Sequence, residues 1–443
     1  MRRRGATLPP AGERIPVAPA EPASEGARGG RLSLGRAGVV VAVSMGVGNA
    51  LNYGYHVFMS RKLGPSSYGA LGALLAVTFI FSVPGLALQS IVARHTALRQ
   101  RDGRDVADLW AGIMRAVLIV SAALAALTAV ASPWIASFLH VGSVAPALWL
   151  AVAIFVLPVV PAILGMLQGR ERFTALGVTL LGTAAGKLLL GVLFVKLGFG
   201  VSGALAGAAA ASILGALIGV WAARPGLAGG SMGWPLVREM AVAGVGIFAL
   251  FVIVNIDIVL ARHFLSRDLS GLYAVGTIVA KITYWAPRFV TVVVFPRLST
   301  SPDRGQLLAR AIGFIAALCL VVVAVVAATS NLLLREVFGQ SYARLGPALW
   351  LFAGIGTVFA LVHLLLFSGI AAGNPWMSRI VAAAVVVKTL LMVAFFHHSV
   401  TQIASVVLAT GIVLLAIGLA LEYRRGPLPA PAVTVNPAEA IAE

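Results

Sequence analysis

The chain has 443 residues, of which 60% are hydrophobic and only 11% charged, with a mean hydropathy of +0.97. That balance excludes a water-soluble globular domain. The net charge of +18 comes largely from arginines in the tails and between apolar runs, where a membrane protein meets anionic headgroups, so nucleic-acid binding is the weaker explanation.

In chain order, residues 1–35 are rich in Pro, Gly and Arg and lack the apolar core and cleavage site of a secretion signal, which predicts a disordered cytoplasmic tail. Windows of about 20 apolar residues, the thickness of a bilayer core, then predict twelve helices. Six fall in an N-terminal lobe over 36–222: 37–60, 69–93, 110–137, 147–168, 174–196 and 200–222. After a linker at 223–238, six more fall in a C-terminal lobe over 239–423: 239–263, 271–297, 309–333, 347–372, 380–398 and 402–422. A Pro- and Ala-rich cytoplasmic tail, 424–443, closes the chain. The lone cysteine, Cys319, lies in an apolar run; it allows no disulfide framework or cysteine metal site within one chain and reads as a small core residue.

The two halves look duplicated. Pro146-Ala147-Leu148-Trp149-Leu150 recurs 201 residues later as Pro347-Ala348-Leu349-Trp350-Leu351, and the same offset lays Lys187 on Lys388, Leu189 on Leu390, Val192 on Val393 and Phe194 on Phe395. A repeat of hydrophobic segments is the sequence trace of a transporter built from two similar bundles. Six helices per half is an even number, so both halves enter the membrane in the same sense, related by a pseudo-two-fold axis along the membrane normal. With both ends cytoplasmic, the inner connections collect 21 Lys and Arg against 7 in the outer ones (Arg61, Lys62, Lys196, Arg262, Arg267, Arg335 and Arg344).

Five basic residues fall inside expected helices: Arg115, Lys187, Lys281, Arg288 and Lys388, against one embedded carboxylate, Asp257. A charge at mid-membrane costs roughly 3 kcal/mol on insertion scales, so such residues should face protein or water. Arg115 is close enough to a helix end to reach the headgroups. Lys187 and Lys388 are central and are expected to face inward as substrate-binding groups, or to bond a neighbouring helix. In the eighth helix Lys281, Tyr284, Trp285 and Arg288 share one face, with Pro287 as a possible kink. Cations suit phosphate and aromatic rings suit sugar faces, so that stripe is a second substrate-binding candidate; the alternative is an aromatic packing ridge. Asp257 is expected to pair with Lys281 as a structural bond or gate, or otherwise to carry a coupling proton or sodium ion. His56 and His363 read as satisfied core residues.

Leu63-Gly64-Pro65-Ser66-Ser67-Tyr68-Gly69 resembles the LGP-x-x-YG signature of the polysaccharide transporter family, the oligosaccharide flippases of the multidrug, oligosaccharidyl-lipid and polysaccharide exporter (MOP) superfamily. Asn255-Ile256-Asp257, Leu265-Ser266 with Gly271-Leu272-Tyr273, Phe295-Pro296-Arg297-Leu298-Ser299 and Phe338-Gly339-Gln340-Ser341-Tyr342 extend the likeness over about 36–425. The resemblance implies a MATE-like two-lobed bundle in the plasma (inner) membrane, moving polyprenyl-pyrophosphate-linked oligosaccharide outward by alternating access through a cationic central cavity. It implies as partners the lipid-linked oligosaccharide, membrane lipids, and the glycan polymerase and glycosyltransferases of the same pathway. No phosphate-binding Gly-x-x-x-x-Gly-Lys motif or hydrolytic metal cluster appears, so no enzymatic activity, cofactor, metal or nucleic acid is expected. A multidrug exporter of the same superfamily is less consistent, because the first helix holds no Asp or Glu. A lipid II flippase typically has fourteen helices. A membrane-embedded glycan polymerase or ligase normally carries a larger outer loop than the one around 335–346.

Overall fold

Long apolar segments without water must satisfy every backbone amide internally, and helices do so within one segment. The computed structural model describes residues 25–224, 247–287, 290, 304–371 and 376–424, and among these there is no strand. The elements are α1 (Glu25–Phe81), α2 (Val83–Arg101), α3 (Ala107–Val130), α4 (Ser132–Phe138), α5 (Ala145–Val156), α6 (Val159–Gly169), α7 (Phe173–Lys196) and α8 (Gly200–Ala223). Then come α9 (247–253), α10 (Ile256–Phe264), α11 (Arg267–Trp285), α12 (Arg304–Leu333), α13 (Leu349–Ala371), α14 (Trp376–Ala394) and α15 (Val400–Arg424). A single π turn, Leu334–Phe338, and a 3-10 stretch, Gln340–Ala348, join α12 to α13.

Ten helical runs among the described residues are long and apolar enough to cross a membrane, against the twelve expected. The first and second expected helices run together as Val39–Phe81, and α11 is not among the ten because it carries Arg267, Asp268 and Lys281. The chain is already helical at Glu25, within the stretch read as an irregular tail. The expected linker falls mostly, and the C-terminal tail almost wholly, outside the described residues, as do Arg288 and the Phe295 to Ser299 motif.

The Leu63 to Gly69 motif is a hinge in α1. Gly64 has φ 72° and ψ 171°, a conformation open to a residue without a Cβ, and Pro65 follows with the fixed φ that suits a helix start. The arm before this bend packs on α7, where Gly191 leaves room for the Tyr55 ring. The arm beyond it packs on α11, and here the backbones nearly touch: a Cβ on Gly69 would stand 2.8 Å from the Gly271 nitrogen, and one on Gly72 2.8 Å from the Ala274 Cβ. One bent helix therefore belongs to both halves. A buried core runs from Tyr55 and Tyr68 through Tyr273 and Phe352 to Ile403, and it includes Cys319. A second, between α2, α3 and α6, gathers Leu88, Trp110, Ile113 and Met166.

Candidate functional site

Lys187 on α7 donates from Nζ to Asn52 Oδ1 at 2.7 Å and stands 4.5 Å from the centre of the Tyr55 ring. Lys388 on α14 is wholly buried and donates to Asp257 Oδ1 at 3.1 Å and to the Ile253 carbonyl. Each lysine reaches back to a residue 135 positions earlier, Asn52 in one half and Ile253 in the other. The sequence repeat thus reappears as an equivalent contact with different chemistry. Lys187 meets a neutral amide, whereas Lys388 meets a carboxylate.

Asp257 does not pair with Lys281, as the sequence suggested, but with Lys388, and the Tyr273 hydroxyl donates to its second oxygen at 2.6 Å. The reason is a break in the helix. The chain turns at Val254 and Asn255, where φ is −135°, so α9 ends one residue earlier and its terminal Ile253 carbonyl can accept from the ammonium. Asn255 Nδ2 donates to the Phe251 carbonyl at 2.8 Å, while its buried Oδ1 has no partner among the described residues. Such breaks are tolerated in a membrane where protein surrounds them.

Beside the pair lies a small cavity, walled by Phe79, Tyr273, Trp285, Phe352 and Phe359 and reached by Asp257 and Lys281. The Lys281 ammonium stands 5.2 Å from the centre of the Phe79 ring, and Phe79 stacks on Phe251 at 5.3 Å. Lys187 and Lys281 lie within electrostatic reach of one another and of His56, so two cations converge on one region. Tyr284 and Trp285 do line this cavity, but the Tyr284 hydroxyl is bonded to His363 Nδ1 at 2.7 Å. His56 Nδ1 is likewise bonded to the Tyr68 hydroxyl at 3.0 Å, as expected of core imidazoles. Arg115 is exposed on the side of α3. The predicted lysines are therefore split: Lys187 and Lys281 share a region, Lys388 does not join them, and Arg288 lies outside the described residues.

Sequence reasoning counted Arg262 only as a loop cation. It is buried, and its guanidinium donates to the carbonyls of Leu139 at 2.8 Å, His140 at 3.0 Å and Ser66 at 3.0 Å, and to Ser270 Oγ at 2.9 Å. Next to it, the His263 ring stacks on Phe138 at 4.0 Å and bonds the Phe138 carbonyl at 2.9 Å. Arg61 bonds the carbonyls of Glu336 and Val337, and the Tyr342 hydroxyl donates to the Ser60 carbonyl at 3.0 Å. These bonds clasp the two halves together at the end of the bundle marked by the Gly64 bend. Among them, Tyr342 belongs to the Phe338 to Tyr342 motif and Ser66 to the Leu63 to Gly69 motif, the sequence signals that pointed there.

The model of a family described as polysaccharide biosynthesis protein matches residues 58–347, which include the bend, Lys187, Asp257 and Lys281. The chain belongs to that family. This polysaccharide biosynthesis protein has the fold of the MOP superfamily transporters. It superposes on the inward-facing form of a multidrug resistance MATE family transporter with a TM-score of 0.70 at 15% identity, covering 88% of this chain and 98% of that one. For the outward-facing form of a multidrug resistance MATE family transporter the values are 0.59, 16%, 88% and 95%. A MOP superfamily transporter from Pyrococcus furiosus, described as having a binding pocket of reversed polarity, gives 0.56, 15%, 89% and 95%. No curated protein shows significant sequence similarity to the chain. It is a multi-pass membrane protein.

Proposed function

We propose that this polysaccharide biosynthesis protein is a flippase, carrying a polyprenyl-pyrophosphate-linked oligosaccharide from the cytoplasmic to the outer face of the plasma membrane. The observation that carries this reading is a pair of internal lysines, Lys281 lining the cavity and Lys187 bonded to Asn52 outside its lining, neither paired with an acidic group among the described residues. Two such ammonium groups away from bulk water call for an anionic passenger. A multidrug exporter would need the opposite polarity for organic cations, and the one embedded carboxylate is already neutralised by Lys388.

On this reading twelve helices form two six-helix lobes with both termini cytoplasmic, and the protein works by alternating access without nucleotide hydrolysis. Arg61 and Arg262 belong to the basic residues assigned to the outer connections, so the clasped end is the outer one. Closure there by Arg262, His263, Arg61 and Tyr342 corresponds to an inward-facing state, which agrees with the higher superposition score on the inward-facing transporter. Outward opening requires those bonds to break. The test is reconstitution into liposomes with a fluorescent pyrophosphate-linked oligosaccharide, scoring its exposure to a membrane-impermeant quencher. Flipping that depends on the protein and falls in Lys187→Ala supports the reading; no flipping above empty liposomes overturns it.

A further inference from the structure

Four of the chain's seven histidines lie in one row of rings at the clasped end. His140, in the link after α4, has its ring centre 5.5 Å from that of His263 on α10. His263 lies 4.7 Å from Phe264, Phe264 4.4 Å from His397, and His397 4.3 Å from His398 in the link after α14. Among the described residues no three His, Cys, Asp or Glu side chains are placed to hold a metal ion. What the row does have is a crossing: His140 belongs to the first half and His263 to the second, and Arg262 bridges the same junction through the Leu139 and His140 carbonyls. His140 is exposed and His263 half-buried, so water at that end can deliver protons to both. The His140 backbone sits at φ 49°, a left-handed conformation that a residue with a Cβ keeps only where its surroundings hold it, and here its carbonyl is held by Arg262.

Imidazole is the side chain that ordinarily gains its charge between about pH 8 and pH 5. One imidazolium at His263 is tolerated, because its ring covers Phe138 at 4.0 Å and an aromatic face attracts a cation. A second charge on His140, 5.5 Å away, has no such compensation. The elements packed against α10 bring to this end Arg61 and Lys62 from α1, Arg267 and Asp268 from α11, and His397 and His398 beyond α14, while Arg262 precedes His263 on α10 itself. Deeper in the bundle Lys388 and Tyr273 are bonded to Asp257 and Tyr68 to His56. Neither α4 nor the first half of α15, from Val400 to Gly411, carries a titratable group. Arg61, Lys62, Arg262 and Arg267 thus stand against the single carboxylate Asp268, and each added proton increases the imbalance. We propose that the His140 and His263 pair is a proton-operated release for the latch: acid at the clasped end charges both rings, the two halves repel there, and the population shifts to the state open at that end. Neutral rings keep it shut. Calling that side the outer one rests on the flippase reading, whereas the switch itself does not.

The test uses the full chain in lipid nanodiscs with spin labels at Ser143→Cys and Thr401→Cys, exposed positions on opposite halves of the clasped end, in a Cys319→Ala background. Pulsed dipolar spectroscopy reads their separation at about pH 8 and pH 5, the range over which imidazoles ionise. The population at the longer separation is expected to rise about fivefold or more in acid. Combining His140→Asn, which suits the left-handed backbone, with His263→Phe, which keeps the stack on Phe138, should hold that rise below about twofold. His140→Asn alone, at an exposed position, removes one of the two charges and should at least halve it. His397→Gln with His398→Gln, both within the second half, should leave it as in the parent. No change of separation with pH in the parent, a full rise that survives in His140→Asn, or a rise lost only in the His397 and His398 variant overturns the proposal. If lipid-linked oligosaccharide is flipped while the separation ignores pH, the switch falls and the flippase reading stands. Acid-driven separation without any flipping does the reverse.

Discussion

Replacing Lys388 by Met removes one charge from a pair in which the side chains are 0% and 5% exposed. Asp257 is then left with the Tyr273 hydroxyl as its remaining bonded partner among those described, at a carboxylate only 5% exposed. Breaking a buried ion pair from one side costs about 3–5 kcal/mol, which at 1.4 kcal/mol per decade is a shift of roughly 10² to 10⁴ in the folding equilibrium. Asp257→Asn should cost a similar amount, because the ammonium keeps only the Ile253 carbonyl and a neutral amide. The double variant Lys388→Met with Asp257→Asn removes both charges and should recover much of the loss, giving a coupling energy of about 2 kcal/mol or more. Unfolding equilibria of the four proteins in mixed micelles measure that energy. If Lys388→Met is as stable as the parent to within about 0.5 kcal/mol, or if the two single effects simply add, the pair is not holding α10 to α14.

Arg262→Ala removes four bonds of at most 3.0 Å at the clasped end. Hydrogen bonds to charged groups contribute about 1.5–3 kcal/mol each, so a thiol placed at Phe138 should react with an impermeant reagent at least tenfold faster in that variant; an unchanged rate contradicts the latch. Gly271→Leu should lower the melting temperature markedly, since even a Cβ there would stand 2.7 Å from the Pro65 Cα, and overpacking costs about 1–3 kcal/mol. Gly305→Leu, where nothing lies within 4 Å, is the tolerant control, and equal melting of the two would refute the close crossing. Lys187→Ala loses a single bond to Asn52, so it should fold normally yet flip substrate severalfold more slowly. Lys187→Arg should retain more transport than Lys187→Ala if charge is what matters, and equal rates for the two would argue against it.

The membrane-spanning character, the helical segments and the 201-residue repeat are carried by local hydrophobicity and spacing, which the linear chain states outright. The bend at Gly64 and Pro65 reads in the sequence only as the connection between two expected helices, because whether such a pair interrupts a helix or merely bends it is decided by what packs on either arm. The stripe of Lys281, Tyr284 and Trp285 was legible from local spacing: helical periodicity puts these residues on one face of α11, and all three line the cavity. Partnership was not. Lys187 and Lys388 occupy identical positions in the repeat, yet only the second meets a carboxylate, because Asn52 stands where the second half offers the Ile253 carbonyl with Asp257 close by. Depth along a helix placed Asp257 near Lys281, but the break at Val254 and Asn255 and the packing of α14 determined the partner it meets. Arg262 shows the same limit: its carbonyl acceptors come from Ser66, Leu139 and His140, far away in sequence and brought together only when the halves close. Charge type and periodicity are local properties, whereas neutralisation depends on distances across helices, and those arise from packing.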